Sequence, residues 1–535
     1  MDTMTQTAAP ADTAPRAAPL ALTAAGVALG LFAYMQALAW MRAGLFEYPL
    51  DDVYIHLAIA EQIARGNYGV NAGEVTSAAS SVLYPLLLPF PEAGVQRYLP
   101  LAWNTAAVAA SGALWGLLLR ESGYGAGAFR RTGILLAVLG PVGLNIAGAG
   151  FTGMEHALHG AATLALLLGL LRFLRDGRIG ALLVAGVLLG PLLRYEGLGP
   201  SLLVVALVLW RGRPLAGLAL LALAALPLAG FTAFLLSQGL APLPNSVLAK
   251  LGDGAQDLSM AARLAGRLAG NLAEPAGVAL ALLTLAAAAV ALAARRDPVA
   301  GALALAGAAA GAGHLLFGKI GWMDRYEHYA LLFVGGALAA ALVRLPEDAA
   351  RRGLSGALAL ALAGLTLLYQ QNFGARGQWA PQAHHLQTAQ MARFAKQVHA
   401  APVAVNDLGR VAWRNPDYVL DLWGLASPLA LERRLTDPRP GWADDLAAAR
   451  GVTLAMVYDD WVGPAIGADW VRLGALTLDA PAGQLGGREV TFWATDPAAA
   501  PALRAGLRDF VPTLPPGAGF TFAAEPAGPR ASDGG

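Results

Sequence analysis

Long, nearly charge-free apolar runs recur along most of this chain, and they constrain its fold more than any other feature. The first, Leu20–Met41, is about 22 residues long, too long for the apolar core of a signal peptide and long enough to cross a bilayer. Further runs lie at Leu99–Leu119, Thr132–Ala149, Ala157–Leu171, Ile179–Leu193, Leu198–Trp210, Leu215–Leu236, Ala276–Ala294, Val299–Phe317, Tyr329–Val343 and Leu354–Leu368. Together they predict about eleven membrane helices. Charged residues make up only 14% of the chain, against roughly 25% in soluble domains. The expected fold is therefore a polytopic α-helical membrane protein.

Alternate connections carry arginine clusters: Arg120/Arg130/Arg131, Arg172/Arg175/Arg178, Arg211/Arg213, Arg295/Arg296 and Arg344/Arg351/Arg352. Positive charge in short loops marks the cytoplasmic side. This places the N-terminus in the cytoplasm and everything after Leu368 outside, as in a multi-pass protein of a bacterial cytoplasmic membrane. The segment Ser80–Pro91, with three prolines, is too short to span and predicts a re-entrant or interfacial helix pair.

The predicted organisation is a disordered tail (1–19), a membrane module (20–370) with external juxtamembrane helices (52–93), an external α/β domain (371–520) and a disordered tail (521–535). Strand-like runs "APVAVND", "DYVLDLWG", "VTLAMVYDD" and "REVTFWAT" support the α/β domain. A net charge of +1 gives no support for a nucleic-acid partner, and the absence of cysteine removes disulfides and thiolate chemistry. No Walker A pattern, dinucleotide fingerprint or HExxH is present, so a donor presented from the membrane fits better than a soluble nucleotide.

The outward connections differ in kind from the arginine-rich ones. They read "YPLDDVYIHL", "FTGMEHALHG", "LLRYEGLGP", "LAPLPNSVLAKLG" and "GKIGWMDRYEHY", which suggests a shared external site. Asp51 or Asp52 can cap the amphipathic segment Val53–Arg65. Two adjacent acids at a membrane boundary call for a partner or a role. One can act as general base toward an acceptor hydroxyl, while the other orients it, binds the acceptor or helps hold a divalent ion. Tyr54 and His56 follow on the same segment as candidates for binding the substrate or donor. Glu155 and His156 open a helix where the dipole favours an acid; alternatively they bind sugar hydroxyls or a metal. His156 and His159 share a helical face but lack a third ligand for zinc. Arg194 and Glu196 form a local ion pair at a helix hairpin. Lys250 and Arg325 are interfacial anchors or neutralise a phosphate leaving group. Asn245 is a turn residue or a donor to substrate, and His384/His385 are expected to be solvated.

The order of these motifs resembles the GT-C superfamily of polyprenyl-phosphate-sugar-dependent glycosyltransferases. It is nearest the arabinofuranosyltransferase-like branch, with aminoarabinose and protein O-mannosyltransferases as further relatives in kind. The resemblance rests on Asp51/Asp52, "RGNYGVNAGE", "SSVLYP", "TGMEH", "RYEG", "LPNSVLAK", "DRY" and "NDLG…DLWGL", from Asp51 to about Ser427. It departs from the family at Tyr195, which stands in place of a proline, at His156, which stands in place of a threonine, and in "SSVLYP". The resemblance implies inverting transfer from a lipid-phosphate donor to a hydroxyl of an envelope glycan, lipid or protein on the outer face. It implies Asp51 as general base with Asp52 supporting it, and Glu155, Arg194, Glu196, Asn245, Lys250 and Arg325 around the cavity. It fixes no metal or other cofactor. A transporter, a glycan-binding scaffold and a lipid-diphosphate-dependent glycan polymerase or ligase are the alternatives.

Overall fold

A computed structural model describes residues 18–252, 259–346 and 348–524; most of both expected disordered tails lies outside the described residues. The chain is a polytopic, mostly α-helical protein followed by a mixed α/β region. Among the described residues, eight helices are long and apolar enough to cross a membrane. Three of the expected spans fall short of that length: Ala181–Leu193, Tyr195–Trp210 and His328–Leu342. Arg194 adopts extended backbone between the first two and breaks what would otherwise be one apolar run. The third is buried along its whole length, so its all-round hydrophobicity reflects encasement by other helices rather than contact with lipid.

The helices pack through small residues. A Cβ at Gly116, on helix Leu99–Leu119, would lie 2.3 Å from the Leu20 carbonyl oxygen of helix Ala18–Ala43. Such backbone approach is how helices associate where no hydrophobic drive separates protein from lipid. One helix was not expected. Met260–Ala273 carries Arg263 and Arg267 on one side of an amphipathic cylinder, so it contains no continuous apolar run. The expected helix pair within 80–91 is instead a single 3-10 turn, Tyr84–Leu87, because its prolines withhold donors.

The C-terminal sheet has six strands: β1 (Val403–Val405), β2 (Val419–Asp421), β3 (Leu454–Val457), β4 (Val471–Leu478), β5 (Glu489–Ala494) and β6 (Ala518–Phe522). Their order is β2-β1-β3-β5-β4-β6. The first three are mutually parallel, and the remainder pair antiparallel. β6 reaches into the segment expected to be disordered. Strand β4 escapes sequence inspection because a register shift between Arg472 and Gly474 interrupts its alternation.

One hydrophobic core joins this sheet to the connection after the first membrane helix: Tyr48, Tyr54, Leu57, Tyr84 and Leu88 pack with Val405, Val411, Trp413 and Phe492. Polar ties reinforce it. The Asn71 side chain both accepts from the Val419 amide (2.9 Å) and donates to the Val419 carbonyl (3.1 Å), so it pairs with edge strand β2 as another strand would. Glu61 accepts from the Arg414 amide at 2.9 Å, and Trp413 donates to Gln96 at 3.0 Å.

Candidate functional site

The juxtamembrane helix Asp52–Ala64 organises the site through its period. Asp52 and His56 are one turn apart and share a face. That face meets connections at the ends of the membrane helices: Arg325 donates to Oδ2 of Asp52 at 2.5 Å, and Nε2 of His56 lies 3.4 Å from Glu155. Asp51 and Ile55 lie on another face, against the α/β domain. Oδ2 of Asp51 accepts from the Gly409 amide at 2.6 Å, and Oδ1 accepts from the Arg410 amide at 2.9 Å. Asp51 thus caps the short helix Gly409–Ala412. Position 409 must be glycine for this contact, since a Cβ there would fall 2.2 Å from the Asp51 carbonyl oxygen.

The adjacent acids therefore sit in opposite environments. Burial pushes the Asp51 carboxyl up to about 6, with the two amides opposing the rise and the neighbouring Asp52 charge adding to it. For Asp52, burial pulls the same way, but the Arg325 guanidinium, assisted by Lys250, more than offsets it and holds the carboxyl below its ordinary value. The Asp52 side chain is 39% exposed, whereas Arg325 is 2% exposed.

Behind Asp52 lies a buried ionic network. Glu155 is fully buried at the start of helix His156–Asp176. Its Oε1 accepts from Arg194 Nη1 and from the Ser80 hydroxyl, each at 2.7 Å. Arg194 Nη2 donates to Glu196 at 2.7 Å, so the guanidinium bridges two carboxylates. Tyr326 stands in front of this network with three cations around its ring: Lys250 Nζ at 4.8 Å, and the guanidinium carbons of Arg325 at 5.4 Å and Arg194 at 5.6 Å. Burial would raise its phenol, but Lys250 and Arg325 pull it below the ordinary value. The His156 ring centroid lies 6.1 Å from that of Tyr326.

Among the described residues, both ring nitrogens of His156 and Nδ1 of His56 are buried here with no hydrogen-bond partner. Buried donors and acceptors left open in this way cost about 1–3 kcal/mol each. Buried polar atoms of this kind are satisfied by ordered water or by a polar ligand.

Asp51, Asp52, His56, Glu155, His156, Arg194, Glu196, Lys250 and Arg325 are brought into this one region. Tyr54 and Asn245 are not aimed into it. The Tyr54 hydroxyl donates to Glu47, which also pairs with Arg97 at 3.1 Å and Arg410 at 3.5 Å. The Asn245 amide donates to the Leu425 carbonyl at 3.1 Å and ties the membrane module to the loop after β2. His384 is buried and bonded to Thr388 rather than solvated; His385 is half-buried.

Two residues were passed over. Tyr326 gave one signal, an aromatic directly after Arg325 in a polar connection. Asp407 follows β1 in "NDLG"; burial and the charges of Asp51 and Asp52 push its carboxyl well above the ordinary value. Among the described residues no group of three or more His, Cys, Asp or Glu is arranged to hold a metal ion.

A family model described as a domain of unknown function (DUF8728) matches residues 376–493, within the α/β region. Comparison with curated proteins and with solved structures yields no match.

Proposed function

We propose that this chain is a membrane-embedded inverting glycosyltransferase. It would move a sugar from a polyprenyl-phosphate donor to a hydroxyl of an envelope glycan, lipid or protein on the outer face of a bacterial cytoplasmic membrane. One observation carries the proposal. Asp52, Glu155, Arg194, Lys250 and Arg325, from five separate connections, converge with unpartnered buried polar atoms beneath the α/β domain. Isolated loop polarity would not produce that convergence.

In this reading Asp52 is the general base and Asp51 is a positioning residue, the reverse of what the motif order alone implies. Both oxygens of Asp51 are occupied by backbone amides, while Asp52 is partly exposed and held ionised by Arg325. The acceptor hydroxyl passes its proton to Asp52 as its oxygen bonds to the anomeric carbon. The bond from that carbon to the phosphate oxygen breaks, and polyprenyl phosphate departs with the electron pair. Lys250 and Arg325 offset the charge that develops on the phosphate.

The test supplies purified protein with polyprenyl-phosphate sugars and an acceptor glycan, and follows sugar transfer. Turnover by the native chain, with a loss of about 10²-fold or more in Asp52→Asn, supports the assignment. Near-native turnover in that variant overturns Asp52 as base. Solute uptake into liposomes without lipid-sugar turnover by the native chain overturns the reaction class in favour of transport.

A further inference from the structure

We propose that the opposite end of helix His156–Asp176 carries a second ligand site, one for a phosphate-bearing anion. At about 1.5 Å rise per residue, a 21-residue helix separates the two sites by roughly 30 Å, and the proposal rests on no part of the glycosyltransferase reading. A cavity of about 540 Å³ opens between three helix ends and is lined by Arg120, Arg172, Arg175 and Arg178 together with Glu121 and Asp176. Gly169, Gly180 and Leu182 complete its wall. The volume lies within the range of small-molecule sites and accommodates a phosphate with a glycerol-sized substituent.

The charges are not balanced. Glu121 takes Arg172 in a two-pronged pair at 2.6 and 3.0 Å, and Asp176 takes Arg175 in another at 2.8 and 2.9 Å. Four guanidinium groups thus face two carboxylates, and both carboxylates are committed. Among the described residues, Arg120 and Arg178 have no hydrogen-bonded or ion-paired carboxylate. A planar guanidinium fork matches two phosphate oxygens at once. Basic recesses between membrane helices on the arginine-rich side recognise anionic headgroups. Positive loops that serve only to orient a membrane protein need no cavity; Arg295 and Arg296, exposed at another helix end, are of that plainer kind.

The ligand is either an anionic phospholipid headgroup or a soluble phosphate compound. Full-length protein in neutral detergent is titrated calorimetrically with dioctanoyl phosphatidylglycerol, dioctanoyl phosphatidylcholine and inorganic phosphate. Phosphatidylglycerol should bind and phosphatidylcholine should not. Arg120→Gln/Arg178→Gln should weaken binding about tenfold or more, and Arg295→Gln/Arg296→Gln should leave it unchanged. Glu121→Gln, which releases Arg172, should tighten it. Phosphatidylglycerol binding far above that of phosphate identifies a lipid as the source; equal binding identifies a soluble anion. Indifference to Arg120→Gln/Arg178→Gln, or equal binding of phosphatidylcholine, overturns the site.

Discussion

Asp51 and Gly409 are 358 positions apart in the chain and are joined by a 2.6 Å hydrogen bond from the Gly409 amide to the Asp51 carboxylate. With the second bond from Arg410, this pins the α/β region to the connection after the first membrane helix. Asp51→Ala strands one buried and one partly buried amide and should cost about 1–3 kcal/mol. Limited proteolysis should then cut the chain after residue 399 faster than in the native protein. Unchanged protection would show that the pin is dispensable.

The same pin makes stability depend on pH. The Asp51 carboxyl rises from 3.8 to about 6 on folding, so between those values the folded chain binds more protons than the unfolded one. Stability from this group is full below about pH 4 and falls as pH rises through 6. Asp407 is pushed in the same direction, as is Asp421, which burial raises to about 6. The melting temperature of the native chain minus that of Asp51→Asn, which isolates this carboxyl from every other titrating group, should therefore decline from pH 4 to pH 7. A slope of the opposite sign would refute the burial argument.

In the proposed reaction Arg325 sets the working form of Asp52. Replacing it with Gln removes the cation that holds this carboxyl down, and burial then raises it. The acidic limb of the transfer rate should move to higher pH in Arg325→Gln and stay near its native position in Arg325→Lys. Coincident pH profiles for the native chain and the Gln variant would separate Asp52 from the proton transfer.

Arg194 is the buried keystone between Glu155 and Glu196. Arg194→Met leaves Glu155 without its cation in a fully buried position. The expected cost is about 3–5 kcal/mol, and a compensating Glu155→Gln should restore part of it. Thermal unfolding of the single and double variants in detergent measures both. Additive losses would mean that the two residues do not act as a pair.

The helical part of the fold was largely legible because an apolar run announces itself without reference to its neighbours. The runs are mainly helical, with a break at Asn145 inside Thr132–Ala149; what their composition did not show was which of them face lipid. His328–Leu342 and Leu354–Leu368 look alike in sequence, yet the first is wholly enclosed and Leu360 and Leu367 of the second are exposed. Met260–Ala273 was missed for the converse reason, since its arginines break the run without breaking the helix.

The site was legible as a set of residues but not as a set of roles. The "DD" pair stood out as a pair, and nothing local distinguishes two adjacent aspartates. Their difference comes from partners far along the chain, Gly409 and Arg410 for Asp51 and Arg325 for Asp52. Tyr54 and Asn245 seemed equivalent to their neighbours until Glu47 and Leu425 claimed them. Tyr326 has no distinguishing mark in sequence beyond the adjacent arginine.

The shared core has a consequence for biosynthesis. Tyr48, Tyr54 and Leu57 emerge from the ribosome early, and Val405, Trp413 and Phe492 emerge last, yet all belong to one hydrophobic cluster. The early segment must wait, unpaired, while every intervening membrane helix is inserted, and closing so long a loop carries an entropic cost. Only a chain whose helices have all been threaded with the correct orientation brings the two ends to the same side. Closure of that core is therefore a built-in inspection step: a misthreaded chain leaves the Asn71 and Val419 halves of the joint apart, open to proteases.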